Sequence, residues 1–474
     1  VRRAGLLALS AIVLAACTLG PDYRRPEVPL PSVYRGLDPT APAGPGSLAD
    51  MAWWAVFEDE ALQALIRTAL VENYDLRVAA ARILDAQAQV VATRSFQFPA
   101  IDGTAQAPYS TTFGDRPPLF TLENSFIPQG AVNLSFELDF WGRWRRATEA
   151  ARAELLATEE GRHVVLSDLI SSVTIAYFQL LTLDLDLEIS RRTVAVREDS
   201  LRLVRLREQG GVVSMMDVHQ AETLLSGALR EIPDFERQIE QTENLISVLL
   251  GRSPGPIPRG RALDAQTVYP SLPAGLPAAL LERRPDIRLA EQQLVAANAR
   301  IGVAKSEFLP RIFLLGNIGV AGGVQNSVSF GPMGFFGIGP TLSVPIFNMG
   351  RVQAGVDSAD ARYQEAVARY QQTVQQALRE VSDASVEHRK RQAARREQEA
   401  LVQVLRNAAA LSRVRYDGGV TSYLEVLDNE RQLFEAELEL TRARRDELVA
   451  VVQLYRALGG GWQSESSTQR TAAR

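Results

Sequence analysis

The apolar positions of this chain change period several times, and each change marks an element. From about Asp59 to Phe96 apolar residues recur every three to four positions among Ala, Leu, Arg and Gln, which predicts a helix. After Pro99 the texture switches. "AIDGTAQAPYSTTF" and "GAVNLSFELDF" alternate small or polar with apolar residues, cleanly so from Asn133 to Phe140, and predict strands. From Gly142 to about Gln209 no proline interrupts the chain and the helical period returns, as in "LSDLISSVTIAYFQLLTLDLDLEI". About 65 residues at about 1.5 Å each would make a rod of roughly 100 Å. Such a length points to coiled-coil packing.

The whole series is then written a second time. "NYDLRVAAARILDAQAQ" answers "RPDIRLAEQQLVAANAR", and Gly142-Arg143 answers Gly350-Arg351. "GGVVSMMDVHQAE" at Gly210 answers "GGVTSYLEVLDNE" at Gly418, an offset of 208 residues that Gly251 and Gly459 share. This is one tandem duplication, not a short-period solenoid. Each half reads helix, strand pair, very long helix, helix. In the second half the strands are "RIFLLGNIGVAG" and "FFGIGPTLSVPIF", with a strand end or bulge expected at Pro345. The second unbroken helix runs from Gly350 to about Tyr416.

Composition narrows the function classes. With 474 residues, 51 basic and 56 acidic side chains and a net charge of -5, the chain carries no nucleic-acid footprint. His163, His219 and His388 lack metal-ligand spacing, and the single Cys17 excludes an intrachain disulfide. There is no phosphate-cradling glycine loop after a strand, no HExxH and no nucleophile elbow, so no enzyme is expected. His163 and His388, on long polar helix faces, are expected at the surface.

Cys17 stands in an informative place. "VRRAGLLALSAIVLAAC" has a basic start, an apolar run of signal-peptide length and small residues before the cysteine. Leu14 to Cys17, "LAAC", resembles a bacterial lipobox. That resemblance implies a lipid on Cys17 (N-palmitoyl and S-diacylglycerol), and Thr18 in the next position implies an outer-membrane address. Beyond this segment no helix of twenty apolar residues is evident, so a closed sheet is the remaining way through a bilayer. Four strands per chain cannot close a barrel wide enough for transport; three copies supply twelve.

The chain resembles the TolC-type outer membrane factors, in particular the lipoprotein branch typified by OprM and NodT-like efflux proteins. The likeness rests on the lipobox followed by "GPDYRRP", on "NYDLRVA" and "RPDIRLAE", on "FELDFWGRWRR" and "VPIFNMGRV", and on "YLEVLDNERQLF" with the terminal "LYRALGGGW". It implies a homotrimer: a twelve-stranded β-barrel in the outer membrane, continuous with a long periplasmic α-helical coiled-coil barrel. It also implies a passive exit duct serving a periplasmic adaptor protein and an inner-membrane efflux pump, most simply of the RND type. The expected layout is signal peptide 1–16, lipidated leader 17–58, helix 59–98, strands 99–140 and helical hairpin 141–250. A linker 251–277, helix 278–308, strands 309–347, hairpin 348–460 and tail 461–474 follow.

The resemblance also carries site residues. A periplasmic gate falls on Leu424, Glu425, Asp428 and Tyr416, with Asp217 in the matching place of the first half. Three copies of Asp428 would form a ring of like charges, with Glu425 a second ring able to bind cations weakly. Acids in a first helical turn are equally explained by the unpaired N–H groups there. The tip turns, Gly211-Val212 and Gly419-Val420, are turn formers that would also suit adaptor contact. Thr421 stands where some relatives have an arginine that ties the closed tip, so an apolar, hydrogen-bonded closure is expected. Trp141 and Trp144 are candidates for the membrane interface. The rival is a lipid-anchored, periplasm-spanning coiled coil without a pore; the strand pairs oppose it.

Overall fold

The computed structural model describes residues 18–35, 47–111, 125–266, 275, 277–325 and 328–462. They divide into two compact units, one made of the described residues within 1–27, 82–159 and 289–371, the other of those within 28–81, 160–288 and 372–474. Cys17 and the segment before it lie outside the described residues. The first half forms α1 (Trp53–Val56), α2 (Glu60–Glu72), α3 (Tyr74–Ser95), β1 (Ala100–Gln106), β2 (Tyr109–Ser110), β3 (Ser125–Phe126), β4 (Gln129–Glu137), α4 (Arg143–Gln209) and α5 (Met215–Leu249). The second forms α6 (Leu280–Arg283), α7 (Pro285–Ser306), β5 (Arg311–Gln325), β6 (Val328–Ser343), α8 (Arg351–Asp417) and α9 (Tyr423–Ala457).

The sheet of the first unit is antiparallel throughout. β1 pairs with β4, β2 with β3, both β3 and β4 with β5, and β5 with β6. The six segments therefore make four rows, with β1 and β2 along one edge and β6 along the other. β6 stops at Ser343, two residues before Pro345, although Pro332 and Pro340 both lie within the strand. The one register irregularity in the β5–β6 pair falls between Ala321 and Gly323.

Register sorts the side chains onto two unlike faces. Ile101, Val132, Leu134, Ile318, Val320, Phe336 and Ile338 share one face through their cross-strand pairs. Asp102, Thr104, Asn133, Ser135 and Asn317 share the other, joined by Phe313, Leu315, Met333 and Phe335. Asn133 Nδ2 donates to Thr104 Oγ1 at 3.0 Å across that mixed face. The apolar face is exposed in the single chain, with Phe336, Ile101 and Ile318 all largely uncovered.

The first helix expected over 59–98 is broken into α2 and α3. Asn73 leaves helical geometry at φ -61°, ψ 134°, and its Oδ1 accepts from the Asp75 and Leu76 N–H groups to start α3. Arg284, ahead of Pro285, makes the matching break between α6 and α7. Each break residue also caps the last helix of its own half. Asn73 Nδ2 donates to the Leu249 carbonyl at 2.9 Å, and Arg284 Nη1 to the Ala457 carbonyl at 2.8 Å.

In the second unit, Asp59 is buried where α2 begins. It caps Ala61 and Leu62 and accepts from Tyr177 Oη, Arg261 N and Gln266 Nε2, fastening the stretch after α5 to α2 and α4. α4 contains an apolar window of 18 residues with mean hydropathy 1.7, against the expectation of no such helix; 61% of it is buried inside the protein, as core helices are. His388 corrects another expectation, because it is buried. His163 is half-buried, its Nδ1 3.1 Å from Glu160 Oε2 and its ring 5.0 Å from that of Trp462.

Candidate functional site

The two tip turns are built alike. At the end of α4 the Val212 N–H donates to the Arg207 carbonyl at 2.8 Å and the Gly211 N–H to the Glu208 carbonyl at 2.8 Å, with Gly211 at φ 74°. After α8 the Val420 N–H reaches Arg415 at 2.9 Å and the Gly419 N–H reaches Tyr416 at 3.0 Å, with Gly419 at φ 72°. This left-handed glycine closure satisfies carbonyls that the helix end leaves free. Both turns stand open: Val212 and Val420 are 73% and 71% exposed, and a Cβ added at Gly211 or Gly419 would meet nothing.

Behind the turns lies a compact apolar cluster. Tyr416, only 7% exposed, packs with Tyr423, Val426 and Leu427 of its own half and Leu201, Val204, Val218 and Ala221 of the other. The Tyr416 and Tyr423 rings are 5.1 Å apart. Arg207 lies over Tyr416, its guanidinium 4.4 Å from the ring, with Nη2 3.5 Å from Asp417 Oδ1.

The acids expected at a gate are partly compensated within the chain. Asp428 is exposed, but Arg431 Nη2 donates to it at 2.9 Å and Gln432 Nε2 at 2.5 Å. The Arg431 contact holds the Asp428 carboxyl below the usual carboxylate range. Glu425 accepts from the Thr421 hydroxyl and lies 3.6 Å from Arg415 Nη1. Thr421 thus makes a local hydrogen bond where an inter-helix arginine was the alternative. Asp217 accepts from both the N–H and the hydroxyl of Ser214, at 2.9 and 2.8 Å, and serves as a helix cap. Leu424 is 60% exposed on the same stripe as Asp428. Sequence reading missed Arg207, Arg415 and Arg431; the signal was the 208-residue pairing of the first two and the i+3 spacing of the third.

A second locus joins sheet to helix in the first unit. Trp141 Nε1 donates to the Pro310 carbonyl at 2.7 Å. Trp144 is stacked on Phe96 at 4.3 Å and capped by Arg143 at 4.6 Å, its Nε1 buried without a partner. Both rings are half-buried, not free-standing. The described leader fastens here: the Leu19 N–H donates to the Trp141 carbonyl at 3.2 Å and Thr18 packs on Gly142. Arg146 Nε donates to the Leu19 carbonyl at 3.0 Å, and Arg25 grips Glu291 through two bonds of 2.7 Å. Among the described residues no cluster of His, Cys, Asp and Glu is placed to hold a metal ion.

An exposed sheet with one apolar face and one mixed face that carries its polar side chains, on a chain with two hairpins of very long helices, fits an outer-membrane channel protein. The outer membrane efflux protein family matches residues 65–252 and 276–460, once per duplicated half, and the chain belongs to that family. It is 35% identical over 470 residues to the probable efflux pump outer membrane protein TtgC of Pseudomonas putida, covering 97% of this chain and 96% of TtgC. It is 33% identical over 455 residues to the cation efflux system protein CusC of Escherichia coli, covering 95% of this chain and 98% of CusC. The solved outer-membrane channel OprN superposes with TM-score 0.85 at 31% identity, over 94% of this chain and all of OprN. The open-state MtrE outer membrane channel of Neisseria gonorrhoeae gives 0.82 at 29% identity, over 94% of this chain and 99% of MtrE. The protein is therefore an outer-membrane efflux channel, a transporter and not an enzyme by family.

Proposed function

We propose that three copies of this chain assemble into one duct that passes small, toxic or drug-like compounds outward, with a periplasmic adaptor and an inner-membrane pump of the RND type as partners. The observation that carries the reading is the sheet, with its two unlike faces and two free edges. A bilayer does not tolerate an open edge, because each unpaired backbone group there would cost several kcal/mol; the edge of β6 then pairs with β1 and β2 of the next copy. The relatives' names support efflux as the task, for antibiotics or organic solvents in some and for cations in others. Cargo selection is left to the pump.

In this reading the exposed tip turns at Gly211, Val212, Gly419 and Val420 receive the adaptor. Leu424, Glu425, Asp428, Tyr416 and Asp217 surround the periplasmic constriction. Cys17 carries the lipid, and the fastening of Thr18 and Leu19 beside Trp141 would hold that anchor near the foot of the sheet. Trp141 and Trp144 then lie at the lipid boundary. The test is conductance of the purified protein in planar bilayers, parent beside Arg207→Ala, with mass from light scattering. Ion conduction by a trimer supports the duct. Silence from both, with protein verified in the bilayer, would favour a lipid-anchored structural coiled coil instead.

A further inference from the structure

Met215, Met216 and His219 share one face at the start of α5. At about 100° per residue, His219 falls between the two methionines on the helix circumference and about one turn beyond them. All three side chains are exposed, Met215 at 52% and Met216 at 64%. The duplicate positions, 208 residues further on, are Tyr423, Leu424 and Leu427. Tyr423 and Leu427 are buried in the apolar cluster behind the tip, so the second half uses those places for packing. The first half turns Met215 and His219 outward and sets Met216 beside them.

The imidazole is already oriented. Glu222 Oε2 lies 3.1 Å from His219 Nδ1, while Arg205 of α4 donates to Glu222 Oε1 at 2.8 Å. Those two contacts, Arg205 first, hold the Glu222 carboxyl below its usual range, and an ionised carboxylate can only accept. Nδ1 of the neutral ring therefore carries the hydrogen, and Nε2 keeps its lone pair. A carboxylate behind a histidine is the arrangement that fixes a metal-binding imidazole. Each methionine side chain is unbranched and rotates freely, so both sulfurs can swing toward that nitrogen. Two thioethers and one imidazole make a soft, uncharged donor set, which suits a soft, singly charged ion and not magnesium or calcium. Zinc would find only the imidazole among its usual ligands. The positive end of α5 opposes any cation, and Asp217, which caps it through Ser214, offsets that field.

We propose that Met215, Met216 and His219 bind one soft monovalent metal ion, copper(I) or silver(I), through the two sulfurs and His219 Nε2, with Glu222 positioning the ring. Such binding requires neither a duct nor its partners, so it stands or falls apart from the transport reading. The test titrates silver(I), in chloride-free buffer, into the full chain in lipid nanodiscs with carbon-13 on the methionine methyl groups. The chain has five methionines, which makes the spectrum its own control. The Met215 and Met216 methyl signals should shift together and saturate at one silver per chain, while Met51, Met333 and Met349 stay in place. Zinc(II) should leave all five unmoved. Glu222→Gln should weaken silver binding by about tenfold, the scale of losing a carboxylate behind a ligating histidine. Met215→Leu, Met216→Leu and His219→Gln should each cost at least as much, and all three positions are exposed, so the fold is spared. Absence of a saturable shift, equal shifts of all five methyl groups, or a Met215→Leu/Met216→Leu protein that binds silver like the parent would overturn the proposal. The first two outcomes are read on the parent alone and need no variant to fold.

Discussion

Arg207 and Tyr416 join the two halves of the chain at their tips. The guanidinium of Arg207, in the last turn of α4, lies 4.4 Å from the ring of Tyr416, in the last turn of α8. The duplicate of Arg207 is Arg415, and it faces Glu425 at 3.6 Å instead. Duplication therefore gave the paired arginines of two similar helix ends different partners, so the two hairpins are not interchangeable at the tip.

Removing that tie should loosen the tip without unfolding it. Arg207→Ala loses a cation–π contact worth about 0.5–1 kcal/mol at a partly exposed site, plus a long ion pair that adds little. Open probability in planar bilayers should rise by about two- to fivefold, while the thermal midpoint stays near the parent's. An unchanged open probability would show that the contact does not hold the constriction.

The acids at 425 and 428 give a second expectation, modified by their arginine partners. Because Arg431 offsets Asp428 within one helix, Asp428→Asn alone should weaken cation selectivity only modestly. Arg431→Gln should strengthen it, since it uncovers the carboxylate while leaving the acid in place. The readout is the reversal potential across a salt gradient at low ionic strength, where screening is least. Opposite shifts for the two variants support a pore-facing Asp428; shifts of the same sign would remove it from the ion path.

Much of this was legible beforehand, and the failures share a cause. The duplication, the long helices and the strand alternation are periodic, and periodicity is carried by the residues themselves. The break at Asn73 was overlooked because α2 and α3 together preserve a helical period; the Asn73 side chain starts α3 through its Oδ1 and is held there by a distant carbonyl of α5. The burial of His388 depends on which face of a long helix with scattered apolar residues meets its neighbours, a tertiary matter. At the tip the acids were visible, but their compensation by Arg415 and Arg431 depends on rotamers and on turn geometry.

Asp186 makes the helical body sensitive to pH. It is 3% exposed, accepts from the Thr441 hydroxyl, and burial pushes its carboxyl up to about 6 despite Arg442 and Arg445 nearby. A raised folded-state value means that the ionised form is penalised. The penalty is absent below the unfolded value near ~4, grows as pH rises through about 6, and is complete above it. Two units correspond to about 3 kcal/mol at most. Asp186→Asn should therefore melt higher than the parent at pH ~7.5, with the gap closing by pH ~4. A gap independent of pH would mean that the residue does not titrate in this range.

Two left-handed glycines with nearly the same backbone should respond very differently to alanine. Gly251 has φ 73° and Gly211 has φ 74°. Each substitution strains the backbone by roughly 1–2 kcal/mol. At Gly211 nothing else opposes it, because a Cβ there meets open space. At Gly251 the added carbon would lie 2.3 Å from the Glu72 carbonyl oxygen, where the end of α5 packs on the turn that Asn73 makes. Backbone on both sides would have to move, and the Asn73–Leu249 hydrogen bond would be disturbed with it. Gly251→Ala should thus lower the thermal midpoint by several times as much as Gly211→Ala, or prevent accumulation of folded protein altogether. Gly211→Ala should stay folded and expose its effect only in adaptor binding, measured by surface plasmon resonance. Equal thermal losses for the two would show that backbone strain, and not the close packing at Gly251, dominates both sites.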